Sequence, residues 1–448
     1  MIRIALIGSA LAFGALPGVA HAEPVLLVSI DGLRPADVID ADKRGLKIPN
    51  LRRFIKDGSY ASGVVGVLPT VTYPSHATLL TGTAPARSGI YSNTTFDPQQ
   101  INQGGWYWYA SDYKAKTLWD AAAKAGLSTA NVHWPVSVGE RSIRWSIPQI
   151  WRSGNSDDAK LIRSLATPGL IEGLESSLGD YAAGIDESIA ADENRGRFAA
   201  ALIAQNKPDF ATVYLTALDH EQHVVGPDTP QAHAILERID AILGRLIAAE
   251  TAAHPDAVIA VVSDHGFART DTEVNLYRAF IDEGLITLGK DGKIESWLAT
   301  PWNSGGSSAI VLARPEDPAL QARVRALLDR LKADPKTHIA EIASADGIKA
   351  MGGNPEASFY VNFELGTYAG GFKGADVPLI GPSVSKDMHG YFPASPAMRS
   401  TFMAMGGAIR KNNNLGEIDM RAIAPTLAKI LGVTLPDAEG KALQDIAK

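Results

Sequence analysis

The chain of 448 residues contains no cysteine. That excludes a disulfide framework and a thiolate metal site. It does not exclude export, since an oxidising compartment permits disulfides without demanding them. An excess of positive charge is also missing: 42 Lys and Arg stand against 49 Asp and Glu, for a net charge of -7. Such a surface does not suit a long polyanion, which removes nucleic acid as a bound partner. Beyond the N-terminus no run is long and apolar enough to span a bilayer, so no stable membrane insertion is expected. Internal repeats and long dividing linkers are absent too. What the chain does have is 46% hydrophobic residues, ample for a large buried core.

Residues 1–22 read as a signal peptide. Arg3 gives a positive start, residues 4–16 an apolar run of leader length, and Ala20-His21-Ala22 a small-residue cleavage site before Glu23. Cleavage after Ala22 and export, to a bacterial periplasm or the medium, are expected. Residues 23–448 are expected to form a single domain.

The mature part opens on the unbroken apolar run 25–30, the pattern of a strand covered on both faces, followed by Asp31-Gly32. Further strands are expected at 129–134, 210–215, 257–262 and 401–405. Helices are expected at 49–57, 75–80, 117–125 and 320–331, and around Leu427, Ile430 and Leu431. Thr229-Pro230 starts another, with Ala232, Ile235, Leu236, Ile239, Ile242, Leu243 and Leu246 on one face. Residues 140–200 and 335–385 look like loop-rich excursions. Alternating strands and helices argue for an α/β fold with a mainly parallel sheet. In such sheets ligands bind beyond the carboxyl ends of the strands, where Asp31, Asp219 and Asp264 all fall.

The stretch 68–93 carries the sharpest signal. Pro74 is read as the first residue of the helix at 75–80, which sets Thr72 just ahead of a helix N-terminus, where an anion is favoured. A hydroxyl there is a candidate nucleophile once its pKa is lowered. Asp219 and His223 are four residues apart and face the same way on a helix. Asp264-His265 ends a strand, and two adjacent ionisable groups after an apolar run are costly without a partner. His389 lies in a glycine-flanked loop. With Asp31 and Thr72 these make a nitrogen and oxygen donor set that suits two zinc ions. Paired metals can clamp the attacking and leaving oxygens of a phosphoryl transfer. His76, His133 and His220 read as structural or supporting groups, with His220 expected nearest the metals. His233, His254 and His338 read as surface residues.

Residues 28–32, 69–76, 81–82, 89–93, 219–227, 263–266 and 389–391 together resemble the nucleotide pyrophosphatase/phosphodiesterase (type I phosphodiesterase) family of the alkaline phosphatase superfamily. The resemblance runs from about Pro24 to Val433. It implies an alkaline-phosphatase-like fold, a central mainly parallel sheet between helix layers with inserted loop-rich excursions. It also implies two Zn2+, one on Asp219, His223 and His389, the other on Asp31, Thr72, Asp264 and His265, with Thr72 as nucleophile. Asn93 matches the residue that, with the backbone N–H after the nucleophile, binds a phosphoryl oxygen. Tyr73 matches an aromatic that stacks on a nucleobase, and Trp151 is a candidate second one. Departures are Ser75 where the family's Pro-Asn-His has asparagine, and Val136 where its Trp-Pro-Gly-Ser has glycine.

The expected function is exported hydrolysis of phosphodiester or pyrophosphate bonds in small molecules of nucleotide type, through a Thr72 phosphoryl-enzyme. Phosphonate or phosphomonoester hydrolysis, and metal or phosphate binding without catalysis, are the alternatives. A monoester carries an extra negative charge that calls for a cation aimed at the third oxygen. Asn93 is neutral, so diesters are expected to be preferred.

Overall fold

The run Val25–Ile30 (β1) is buried along its whole length, so both of its faces are covered. A computed structural model describes residues 22–102, 105–150, 157–181 and 186–447. Residues 1–21, which hold nearly all of the expected leader, and Trp151 lie outside the described residues.

β1 sits near the middle of an eight-stranded sheet. The other strands are Gly58–Tyr60 (β2), Thr129–Val132 (β3), Trp145–Ile147 (β4), Phe210–Leu215 (β5), Val258–Val262 (β6), Phe402–Gly406 (β7) and Asn413–Asn414 (β8). Their order is β8-β2-β7-β6-β1-β5-β3-β4. β1 runs parallel to β5 and β6, with Val28 opposite Val213 and Val261. β3 continues the parallel set to β4 and β5, and β7 alone is antiparallel to both of its neighbours.

Alternate residues of β1 feed two cores. Leu26, Val28 and Ile30 pack with Leu202 and Ile203 of one helix and Leu236, Ile239 and Leu243 of another. Val25 and Leu27 pack with Leu79, Leu80, Ile423 and Leu427 on the opposite face. Helices on both faces are what an all-apolar parallel strand needs.

The helix around the nucleophile candidate starts earlier than the sequence suggests. It spans Thr72–Thr81 (α1), with Val71 as the capping residue. Thr72 is its first residue and Pro74 its third, where the missing N–H is one of the first-turn donors with no intrahelical acceptor. Ile189–Asn206 (α2), Ala217–Val225 (α3) and Pro230–Ala253 (α4) follow. The apolar stripe of α4 is buried as its spacing predicts except for Ile235, which is half-buried, and Glu250 is buried on the same helix.

A second sheet has four antiparallel strands. Its order is Ala299–Asn303, Ser307–Leu312, Phe359–Phe363 and Ile339–Ser344. The helix Pro318–Ala333 lies with it, capped by Asp317. This region places His389 and the loop before it at the carboxyl ends of β1 and β6.

Candidate metal centre and nucleophile

β1 delivers Asp31, β6 delivers Asp264 and His265, and α3 delivers Asp219 and His223. Two groups of donors result, Asp31 with Asp264 and His265, and Asp219 with His223 and His389. Within each group one ligand atom per residue lies within 4.8 Å of the others. His265 Nε2 is 3.2 Å from Asp264 Oδ2, 3.4 Å from Asp31 Oδ1 and 3.9 Å from Asp219 Oδ1. His223 Nε2 is 3.5 Å from Asp219 Oδ2, and His389 Nε2 is 3.9 Å from Asp219 Oδ1. Asp219 therefore stands near both groups.

The donor atoms are left open in a consistent way. Gly32 N–H donates to Asp264 Oδ1 at 3.1 Å, and the Tyr214 hydroxyl donates to Asp31 Oδ2. The opposite oxygens, Asp264 Oδ2 and Asp31 Oδ1, are buried without a hydrogen-bond partner, as are Asp219 Oδ1 and His265 Nε2. Each imidazole turns Nδ1 to a backbone carbonyl. His223 faces the Asp387 carbonyl at 2.9 Å, His265 the Gly266 carbonyl at 3.2 Å and His389 the Thr70 carbonyl at 3.3 Å. That fixes the tautomer with the Nε2 lone pair free, the arrangement of a ligating histidine.

Electrostatics point the same way. Burial, then Asp219 and Asp264, raise the Asp31 carboxyl well above its usual range. Burial, then Asp264 and Glu187, do the same for Asp219. Burial also holds His223, His265 and His389 below their ordinary value, hence neutral. Crowded carboxylates beside neutral imidazoles lack a positive charge, which bound cations would supply. The donors present fit a pair of divalent metals.

Thr72 is nearly buried at 8% exposure. Asn93 Nδ2 donates to Thr72 Oγ1 at 3.5 Å, and Asn93 Oδ1 accepts the Tyr73 backbone N–H at 2.9 Å. Asn93 thus spans the Thr72 hydroxyl and the amide after it. The Tyr73 side chain is turned inward, at 1% exposure. Its hydroxyl donates to Gln149 Oε1 at 2.9 Å, and its ring lies 5.3 Å from that of Trp106.

The unassigned histidines separate clearly. His76 is fully buried; Nδ1 donates to the Thr72 carbonyl at 2.8 Å and Nε2 meets Ser29 Oγ at 2.9 Å. It ties α1 to β1 directly behind Thr72. His133 stacks on Tyr214 at 6.1 Å. His220, expected nearest the metals, instead faces outward to Glu187 at 3.3 Å. It lies between Asp219 and His223, so the helical repeat that brings those two together turns it away. Val136 has φ +55°, a left-handed value that a glycine would adopt without cost.

Several supporting residues escape a reading of motifs. Asp192 and Arg195 form a buried pair on α2. Asp192 accepts the N–H groups of Thr216 and Ala217, at 3.0 and 2.8 Å, and Arg195 donates to Thr216 Oγ1 at 2.9 Å. The cap of α3 thus comes from a neighbouring helix, since the Thr216 side chain makes no cap of its own. An i,i+3 Asp and Arg pair in a helix usually marks an exposed face, so spacing alone hides this role.

A family model described as "Type I phosphodiesterase / nucleotide pyrophosphatase" matches residues 25–350. Human ectonucleotide pyrophosphatase/phosphodiesterase family member 1 is 26% identical over 260 residues, 57% of this chain and 24% of that protein. Human bis(5'-adenosyl)-triphosphatase ENPP4 is 26% identical over 270 residues, 59% of this chain and 52% of its own length. The match therefore spans from a quarter to about half of these relatives. The structure of human ectonucleotide pyrophosphatase/phosphodiesterase 5 superposes with a TM-score of 0.67 at 20% identity, over 95% of this chain and all of that one. The murine counterpart, an inactive threonine-to-alanine variant in complex with AMP, gives the same values. With its mainly parallel sheet and this match, the chain belongs to the type I phosphodiesterase/nucleotide pyrophosphatase family.

Proposed function

We propose that the chain hydrolyses phosphodiester or pyrophosphate bonds of nucleotide-type small molecules, with Thr72 as nucleophile and two zinc ions held by the two donor groups. The observation that carries this is the set of inward-facing orphan atoms, Asp31 Oδ1, Asp219 Oδ1, Asp264 Oδ2 and His265 Nε2, gathered at the end of β1 and β6. Asp31, Asp264 and His265 would hold one ion together with Thr72, and Asp219, His223 and His389 the other. When bound, the ions supply positive charge that favours the alkoxide form of Thr72 and neutralises the leaving oxygen.

The residues do the rest. Thr72 Oγ forms a bond to phosphorus while the bond to the leaving oxygen breaks. The departing group takes a proton from water. Water then attacks the phosphothreonine, releasing the phosphomonoester and restoring the hydroxyl. Asn93 orients Thr72 and faces a phosphoryl oxygen, and the Tyr73 amide joins it once Asn93 Oδ1 releases that N–H. His76 holds the Thr72 carbonyl and so the start of α1. The AMP complex of the murine relative supports a nucleotide substrate. Asn93 is neutral, which favours diesters over monoesters. The N-terminal pattern supports export by a cleaved leader, and no helix among the described residues is long and apolar enough to cross a membrane.

Thr72→Ala tests the reading. It should keep both metal equivalents and lower kcat by about a thousandfold or more. Thr72→Ser should retain part of the activity. An active Thr72→Ala protein would show that water attacks directly.

A further inference from the structure

The loop that follows Asn93 carries Thr94, Thr95, Phe96 and Asp97 along a second cavity of about 310 Å³. Thr94 and Asn303 line both this cavity and the mouth beside His223 and His389. The two spaces thus share a wall. Asn303 is held in place, its Oδ1 accepting from Ser308 Oγ at 2.7 Å and its amide donating to the Gly370 carbonyl.

Phe96, Tyr277, Trp302 and Phe372 give the wall an aromatic part beside threonine, amide and carboxylate side chains. The rings of Phe96 and Trp302 are 5.2 Å apart at 45°, and Phe96 meets Trp297 edge-on at 5.7 Å. Tyr277, 3% exposed, closes one end, with its hydroxyl accepting from Gln100 Nε2 at 3.0 Å. The charge is of one sign. Asp97 is there, fixed by the Asn102 N–H at 2.6 Å. Among the described residues no Lys or Arg lines the cavity or the mouth.

The side on which a substrate would reach this cavity follows from the chemistry, and the inference rests on the proposed reading of the site. One metal serves the nucleophile and the other the leaving oxygen. With Thr72 beside Asp31, Asp264 and His265, the leaving oxygen faces Asp219, His223 and His389. That is the side of the mouth walled by His223 and His389. A ring entering here gains buried area and aromatic contact. A phosphate passing beyond the mouth meets Asp97, with no Lys or Arg among the described lining residues to offset it.

We propose that this cavity is a leaving-group subsite for an uncharged, ring-bearing alcohol. The preferred substrates are then phosphodiesters of aryl or nucleoside alcohols, rather than pyrophosphates, whose leaving group is itself a phosphate. In the step concerned the phosphorus–oxygen bond to that alcohol breaks, Thr72 Oγ takes its place on phosphorus, and the alcohol leaves with a proton from water.

The test uses two substrates that share a retained half, thymidine 5'-phosphate: its nitrophenyl ester and the symmetrical dithymidine pyrophosphate. Metal-replete wild type should favour the nitrophenyl ester by about tenfold or more in kcat/KM. Asp97→Lys should shrink that ratio by about tenfold by raising the pyrophosphate rate, and the isosteric Asp97→Asn should shrink it less. Phe96→Ala should raise KM for the nitrophenyl ester only. An unchanged ratio in both Asp97 variants, or a wild type that cleaves the pyrophosphate as fast, overturns the inference while leaving the reading of the site intact. A wild type that cleaves neither substrate overturns both.

Discussion

The two donor groups differ in how the fold holds them. Asp31, Asp264 and His265 are fully buried and sit on the ends of adjacent parallel strands. Their backbone is set by the sheet, and β1 and β6 keep register over five residue pairs. Asp219, His223 and His389 are carried by one nine-residue helix and a loop, and two of the three are partly exposed. A strand end inherits the rigidity of the sheet, whereas a short helix has to be fixed from outside. The Asp192–Arg195 pair does that for α3. The Asp387 carbonyl and the Ser385 hydroxyl, both on His223 Nδ1, do it for the far end.

Breaking the clamp should have the largest effect. Arg195→Met leaves the Asp192 carboxylate buried and unpaired, and is expected to cost about 3–5 kcal/mol of stability in denaturant unfolding. The double variant Asp192→Leu/Arg195→Met should recover most of that stability. It should still bind the metal on Asp219, His223 and His389 about 10–100-fold more weakly, because α3 has lost its cap. The metal on the strand ends should be unaffected in a chelator competition. Equal weakening at both groups would mean that the helix and the strand ends are not held independently.

A background has to be removed before pH effects on the two groups can be compared. Glu250, far along α4, has both carboxylate oxygens buried without partners. Burial, then Asp209, lifts its carboxyl from 4.5 to about 7. Its folded pKa is raised, so the proton it keeps is lost from the unfolded chain first. Stability therefore falls as pH rises from about 4.5 to about 7, by on the order of 3 kcal/mol. Glu250→Gln should flatten that slope in unfolding curves, and an unchanged slope would place its origin elsewhere.

The smallest change sharpens the other side of the comparison. Tyr214→Phe removes the hydroxyl that holds Asp31 Oδ2. It should weaken the strand-end metal by about tenfold and leave the helix-borne one alone.

The same contrast explains what was legible in the sequence. Apolar runs ending in Asp31 and in Asp264-His265 announce both the strands and their cargo, because a parallel strand buried on two faces has a distinctive pattern. The i,i+4 spacing of Asp219 and His223 is equally plain. α1 starts two residues ahead of its proline, because a proline fits anywhere in a helix's first turn. His220 is a neighbour of both ligands in sequence, but helical phase turns it to Glu187 instead of toward the metal site. The clamp, the Tyr214 hydroxyl and the role of His76 were hidden, since each depends on contacts between residues far apart in the chain. The four-stranded sheet around Ser307–Leu312 was hidden as well, and with it the cavity beside Phe96.

In the proposed reading, two differently supported donor groups hold two metals around Thr72. Elemental analysis of dialysed, active protein tests it most directly, read together with activity during chelation and zinc add-back. The account predicts two equivalents of zinc, loss of activity to the chelator, and recovery only when the second equivalent is restored. Full activity with one equivalent or none would contradict it.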